Sequence, residues 1–223
     1  TIDQSEFTDK ARAALWYTNN CVIRGTRMAG VKAVRECNNV SVANCFIDSE
    51  EFGWKSNHLS IKDSTLTSVY AFFNSNDVNL TNVKFKGKYS FQYVNGLRIK
   101  DSVLDTKDAF WHAKDVVVEN SIIIGEYLAW YAENVTFIKC HIKGTQPLCY
   151  SKNIKFDQCT FEKCDLAFEN SEVNGTICGT LVSIKNPMKG EIEIDEIPEM
   201  IIDEFDRSNG QFKIIKREQD AKK

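Results

Sequence analysis

The stretch "GEYLAWYAENVTFIKCHIKG", residues 125–144, opens on a turn residue, passes through aromatic residues and an Asn-Val step, and closes on a second glycine. Nearly the same phrase precedes it as "KDAFWHAKDVVVENSIIIG", 107–125, and follows it as "TQPLCYSKNIKFDQCTFEK", 145–163. The phrases recur at a step of 19 residues, and a fixed period of this size is the signature of a repeat architecture.

Working outward, blocks of 19 counted from Ala14 restart at Ala33, Phe52, Ala71, Ser90, Ala109, Leu128, Pro147 and Leu166, with no insertion. Place eight of successive blocks holds Cys21, Val40, Leu59, Val78, Leu97, Val116, Val135, Ile154 and Val173. Place ten runs from Ile23 and Val42 to Phe137 and Phe156, and place fifteen from Met28 and Ile47 to Ile142 and Phe161. Within a block the apolar places alternate with polar ones, which is the period of a strand and not of a helix. Between the two alternating runs stands place twelve, with Asn44, Asp63, Asn82, Asp101 and Asn120, residues that accept turn geometry. Glycine at Gly87, Gly125 and Gly144 marks the next corner.

A block this short cannot bury its apolar face alone, so the blocks must stack. The reading is all-β: a single-stranded right-handed parallel β-helix of 19-residue rungs, with about nine full turns over 14–184, or about 43 Å at ~4.8 Å per strand spacing. Left-handed helices run on a hexapeptide rhythm, which this chain lacks. Residues 1–13 read as a partial amino-terminal rung with Ile2 and Phe7 inward. The rhythm breaks at "KNPMKG", and "EIEIDEI", "EMIIDEF" and "QFKIIK" are short alternating strands, read as a carboxy-terminal β cap over 185–216. Residues 217–223 are expected to fray.

The 223 residues are 43% hydrophobic with a formal charge of −3, enough for one domain with a continuous core. Lysine and arginine are dispersed, so nucleic acid is not an expected partner. No apolar run approaches the ~20 residues of a membrane helix, so no membrane partner is expected. The chain starts at Thr1 without a Met, which leaves room for a removed leader or a trimmed amino-terminal portion. Eight cysteines spread over this length, with no CxxC, read as reduced thiols, which points to the cytoplasm. Cys45, Cys140, Cys159 and Cys178 share place thirteen and read as an internal packed ladder. No metal site and no cofactor are expected.

The segments "ALWYTNN", "DAFWHAKDVVVENS", "GEYLAWYAENVTFIKC", "LAFENSEVNGTI" and "SIKNPMKGEIEID" together resemble an uncharacterised family of bacterial β-helix proteins catalogued as a domain of unknown function. The likeness runs from Ala11 to about Ile202 and includes the break at 185–190. It implies a β-helix, with further rungs amino-terminal to this start in some members, and no known catalytic residue. Some members carry a machine-assigned hydrogenase label, but the paired cysteines of a nickel–iron or iron–sulfur centre are absent from this sequence.

Polysaccharide-cleaving enzymes also use right-handed β-helices. The "RIK" at 98–100 matches one triplet of the pectin hydrolases, yet it falls where any inward Ile is flanked by outward basic residues, and no Gly-His-Gly or Asp-Asp accompanies it. His58, His112 and His141 fall on different faces of the coil, so no triad is expected. The sequons at Asn39, Asn79, Asn134 and Asn174 follow from repeated strand starts.

Two surface features remain. Places three and four hold an aromatic double column, with place four the outward candidate, and Trp111, His112, Trp130, Tyr131 and Tyr150 are its candidate ligand-binding residues. It reads either as a stiffening ladder or as a platform for carbohydrate or another small molecule. Val103, Val117, Ile122, Ile124 and Ile138 fall at outward places on three successive rungs, a candidate homo-oligomer interface unless they are isolated aliphatics or covered by the carboxy-terminal strands. The leading functional expectation is a non-catalytic scaffold or binding β-helix, and the alternative is a carbohydrate-binding or carbohydrate-active protein using the aromatic face.

Overall fold

The computed structural model describes residues 1–217, so the tail expected to fray lies, apart from Arg217, outside the described residues. Among the described residues every regular element is a strand, and the strands stack in parallel into a β-solenoid of about eleven turns. The 19-residue step is visible in the register. Asn38 pairs with Asn57, then Asn76, Asn95, Lys114, Glu133 and Lys152, each one rung on. The count exceeds the nine turns expected because the carboxy-terminal strands close the coil by extending it. Lys189–Ile194 pairs in parallel with Glu172–Cys178, and Phe212–Lys216 pairs in parallel with Lys189–Ile194.

The apolar columns form one continuous interior. Val116, Val118 and Ile123 in one rung, and their counterparts in the rungs on either side, are all but inaccessible. Each large aliphatic so buried contributes about 1.5–3 kcal/mol over its exposed state.

The third side of the coil does not follow strand alternation. Through the middle rungs, places nineteen, two and four adopt left-handed backbone geometry, as Asp108 (φ 55°), Phe110 (φ 63°) and His112 (φ 55°) illustrate. A chain that turns left-handed at alternate residues does not flip its side chains in and out. Ala71 and Phe72, adjacent in sequence, are both fully buried. Place two therefore points inward, where Phe72, Phe91 and Phe110 stack with centroids 5.2 Å apart. Place three lies half-buried along the corner, and place four is outward.

The corners leave backbone N–H groups inside the coil, and short polar side chains one rung on accept from them. Cys45 N–H donates to Ser64 Oγ, Val83 N–H to Ser102 Oγ and Ser102 N–H to Ser121 Oγ, each at 3.1 Å. The thiols substitute for serine in this role. Cys45 Sγ accepts from Thr26 N–H at 3.5 Å, and the thiols of Cys140 and Cys159 donate to Val118 O and Phe137 O at 3.3 Å. All eight cysteines are free.

Two departures from strict repetition appear, one at the corner that closes the eighth rung and one in the ninth. Gln146 N–H bonds Asp165 O, one residue later than the 18-residue step by which Tyr127 N–H reaches Thr145 O, so the corner at 163–165 holds an extra residue. This moves Phe168 from the half-buried third place into the interior, 5.8 Å from Phe156. Farther on, the register slips so that Ile177 and not Cys178 lies over Cys159. The expected ladder thus includes Cys140 and Cys159 but excludes Cys178, which is half-buried with its sulfur 3.4 Å from Arg217 Nη1.

Candidate functional site

The left-handed corner brings all five candidate ligand-binding residues together. At place four, Tyr93, His112, Tyr131 and Tyr150 form an outward column, with ring centroids 4.8, 5.0 and 5.0 Å apart and planes within 12° of parallel. Beside it Trp111 and Trp130 stack at 5.4 Å and 6°. Trp130 meets Tyr150 edge-on at 5.9 Å. Tyr93 and Tyr131 are each nearly half exposed, at 48% and 47%.

The tryptophans are tied down. Trp111 Nε1 donates to Tyr127 O at 2.7 Å, Trp130 Nε1 to Gln146 O at 2.9 Å, and Trp54 Nε1 to Tyr70 O at 2.6 Å. Each indole spans from place three to place nineteen of its own rung and braces the corner. The stacking of the place-four rings covers part of each face. The column therefore offers solvent mainly a row of ring edges, phenol hydroxyls and an imidazole.

A third column, place nineteen, runs along the same corner. Tyr70 stacks on Tyr89 at 4.9 Å, and Tyr127 stands two rungs beyond Tyr89, but the position between them is Asp108. Asp108 is buried, with 5% of its surface exposed, and burial raises its carboxyl above the ordinary range. The Lys107 ammonium opposes that rise and the Glu126 carboxylate adds to it. Lys107 bonds Glu126 at 2.8 Å and lies 4.9 Å from the ring centre of Tyr127. Burial also raises the phenol of Tyr150, with a smaller contribution from Glu169. Sequence reasoning passed over Asp108 and left Tyr93 out of the site. The signal for Tyr93 was its membership of place four, and for Asp108 the single acid in a column otherwise tyrosine in the middle rungs.

The candidate interface residues divide into two groups. Val103, Ile122 and Ile124 are exposed at 38%, 41% and 37% on one sheet, with Val103 in register with Ile122. Val117 and Ile138 are half-buried on the neighbouring sheet, across the corner at Asn120 and Ser121. His58, His112 and His141 stay apart: His58 pairs with Asp77 at 3.4 Å and His141 bonds Thr160 and Glu162. Among the described residues no group of three or more His, Cys, Asp or Glu side chains could hold a metal ion. Depressions of about 330 and about 370 Å³ lie on the outer sheet faces, one around Gly87 and one around Gly175.

A parallel β-solenoid with a continuous aromatic outer corner is the class these features define. The chain belongs to the family described as "Protein of unknown function (DUF3737)", whose profile matches residues 1–215. A search of curated proteins finds no match. Among solved structures it is similar to the tailspike protein gp49 from Pseudomonas phage LKA1, at 10% identity and a TM-score of 0.32. The alignment covers 88% of this chain and 46% of the tailspike chain, so this chain spans less than half that protein's length. No described helix is long and apolar enough to cross a membrane.

Proposed function

We propose that the protein is a non-catalytic recognition solenoid whose binding surface is the outward column Tyr93, His112, Tyr131 and Tyr150. The observation that carries this reading is the column itself: four aromatic groups, stacked at 4.8–5.0 Å, stand on the outside of a rigid coil that does not need them for its core. Such a row suits an elongated ligand or polypeptide that runs along the coil, because every rung repeats the same contact and none needs rearrangement. The thiols, free and mostly buried, support residence in a reducing compartment such as the cytoplasm.

Thermal stabilisation across a library of glycans, metabolites and peptides tests the reading, since any ligand that prefers the folded state raises its apparent stability. A hit should disappear in Tyr131→Ala while the unliganded melting temperature changes little. A hit that survives both Tyr131→Ala and Tyr93→Ala would move the site elsewhere.

Asp108 favours a second reading, a carbohydrate-active site on the same corner. A carboxyl whose acid form is favoured by burial, in the same outer column as Tyr127, has the character of a proton donor. Release of reducing ends from polysaccharide, lost in Asp108→Asn, would establish it in place of the first.

A further inference from the structure

The exposed aliphatics Val103, Ile122 and Ile124 sit in the middle of a charged face whose order carries information. Place sixteen of five successive rungs reads Lys86, Asp105, Ile124, Lys143 and Glu162, each in register with the next. Its signs run plus, minus, neutral, plus, minus. The pattern is antisymmetric about Ile124. Turned end for end, it presents an opposite charge at every charged position.

We propose that the protein forms a two-fold dimer through this face, with the two coils antiparallel and the symmetry axis lying along the strand Ile122–Ile124. Rotation about that axis sets Ile122 and Ile124 against their own copies. It sets Lys86 against the partner's Glu162, and Asp105 against the partner's Lys143. Each pairing occurs twice, as an isologous contact requires. Val103 meets the imidazole ring of the partner's His141. The alternative two-fold axis, along the coil, sets Lys86 against Lys86 and Asp105 against Asp105, and like charges at close range oppose it.

Among the described residues neither Lys86 nor Asp105 has an ion-pair partner within 4.0 Å, so both are available to a second chain. Glu162, by contrast, is already bonded to Lys143 at 2.7 Å and to His141 at 3.3 Å. The partner's Lys86 and the partner's Asp105 would extend the Glu162–Lys143 pair into a network of four charges. Sheets packed face to face lie ~10 Å apart, a gap that lysine and glutamate span from opposite sides. The face measures about 13 Å by about 24 Å, at ~3.3 Å per residue and ~4.8 Å per rung. That is about 310 Å² per chain and about 620 Å² for the pair, short of the ~1,000 Å² of a stable interface, so the contact is a weak, transient one with a dissociation constant on the order of 100 μM.

Sedimentation equilibrium of the full chain from about 5 to about 1,000 μM, a span chosen to bracket that constant, tests the proposal. Wild type should pass from monomer to dimer. The double variant Lys86→Glu with Asp105→Lys keeps the net charge and the neighbouring pair within the chain, yet it sets like charges across the axis. Its dimer should weaken by about ten-fold or more. The variant Lys143→Glu with Glu162→Lys should fail in the same way, and an equimolar mixture of the two should dimerise again, because both halves of the mixed contact become complementary. Circular dichroism confirms that each variant is folded. Should the second variant fold poorly, chains carrying Asp105→Cys and Lys143→Cys replace it, and an oxidised cross-link should form only in their mixture. A wild-type chain that is monomeric at the highest concentration overturns the proposal. So does a dimer that the first swap leaves unchanged, or a swap whose loss is not restored by mixing.

Discussion

Replacing Phe110 by alanine and, separately, by glycine distinguishes the corner geometry from ordinary core packing. Phe110 is fully buried and stacks on Phe91 with centroids 5.2 Å apart and 29° between planes. Below it in the same column is Ala129, too small to move into the space released. Phe110→Ala should therefore cost about 3–5 kcal/mol, toward the upper end because the rungs on either side hold the cavity open. In a strand or helix, glycine at the same position would cost a further 0.5 to ~1 kcal/mol through backbone entropy. Phe110, however, is left-handed, with φ at 63°. In that region a side chain costs ~1–2 kcal/mol that glycine does not. Phe110→Gly should thus be less destabilising than Phe110→Ala, by about 1 kcal/mol, although it removes one more carbon. Urea unfolding followed by circular dichroism measures both. Glycine proving worse than alanine would refute the left-handed corner, and an alanine variant costing under ~1 kcal/mol would refute a close-packed interior column.

Inserting one residue at Val118 should turn the apolar set of that strand outward and lower the melting temperature sharply, since the period of a strand is two; an unchanged melting temperature would sink the solenoid. Alkylation of the folded, unreduced protein should modify Cys178 first and leave Cys140, Cys149, Cys159 and Cys164 intact until denaturation, because all four are buried away from the reagent and burial also pushes the Cys149 and Cys164 thiols up to about 12. A disulfide between Cys140 and Cys159 in freshly isolated protein would contradict the free-thiol interior. The raised carboxyl of Asp108 favours the folded state at low pH and loses that advantage as pH rises through its folded value, so Asp108→Asn should raise the melting temperature at pH 7 and make little difference near pH 3. A lower melting temperature at pH 7 would mean the carboxylate has a partner. Glu162 carries the opposite sign: its hydrogen bond to Lys143 holds its carboxyl below the ordinary range, so its contribution is present at neutral pH and is lost on acidification, a loss Glu162→Gln should abolish in a pH series of melting curves.

The apolar columns were legible because a solenoid makes packing periodic in sequence. Val116, Val118 and Ile123 occupy their places for the same reason as Val135, Phe137 and Ile142 one rung on, and nineteen residues of any rung predict the next. Two kinds of feature escaped. At the aromatic corner the in-and-out rule assumes extended backbone, and left-handed residues at places nineteen, two and four break it; only the identity of the residues there, often Asn, Asp or aromatic, hints at the change. The second kind is compensation. The extra residue at 163–165 is taken up again before Val173, which pairs with Ile154, and the slip before Ile177 falls after it, so a column read at place eight alone shows neither. Phe168 and Cys178 lie between the two adjustments or just after them, and both were misplaced for that reason.

Repetition also constrains what the surface can be. Stacking identical rungs at ~4.8 Å puts like beside like, which suits Phe on Phe and Asn beside Asn but not charge on charge. The chain meets this where Asn76 Nδ2 donates to Asn57 Oδ1 at 2.8 Å, and where Lys100 and Lys114 meet Glu119 and Glu133 one rung on, at 3.0 and 3.1 Å. Against such columns a residue that interrupts its own series stands out as unaccounted for by stacking. Asp108 interrupts the tyrosines at place nineteen, and Ile124 interrupts an alternation of charge at place sixteen. Neither improves the fold of the isolated chain, since one buries a carboxyl and the other exposes an aliphatic side chain to water. Those two positions, and not the columns that explain themselves, are where the sequence departs from building a coil, and they lie on the two faces on which a ligand and a second chain are proposed to bind.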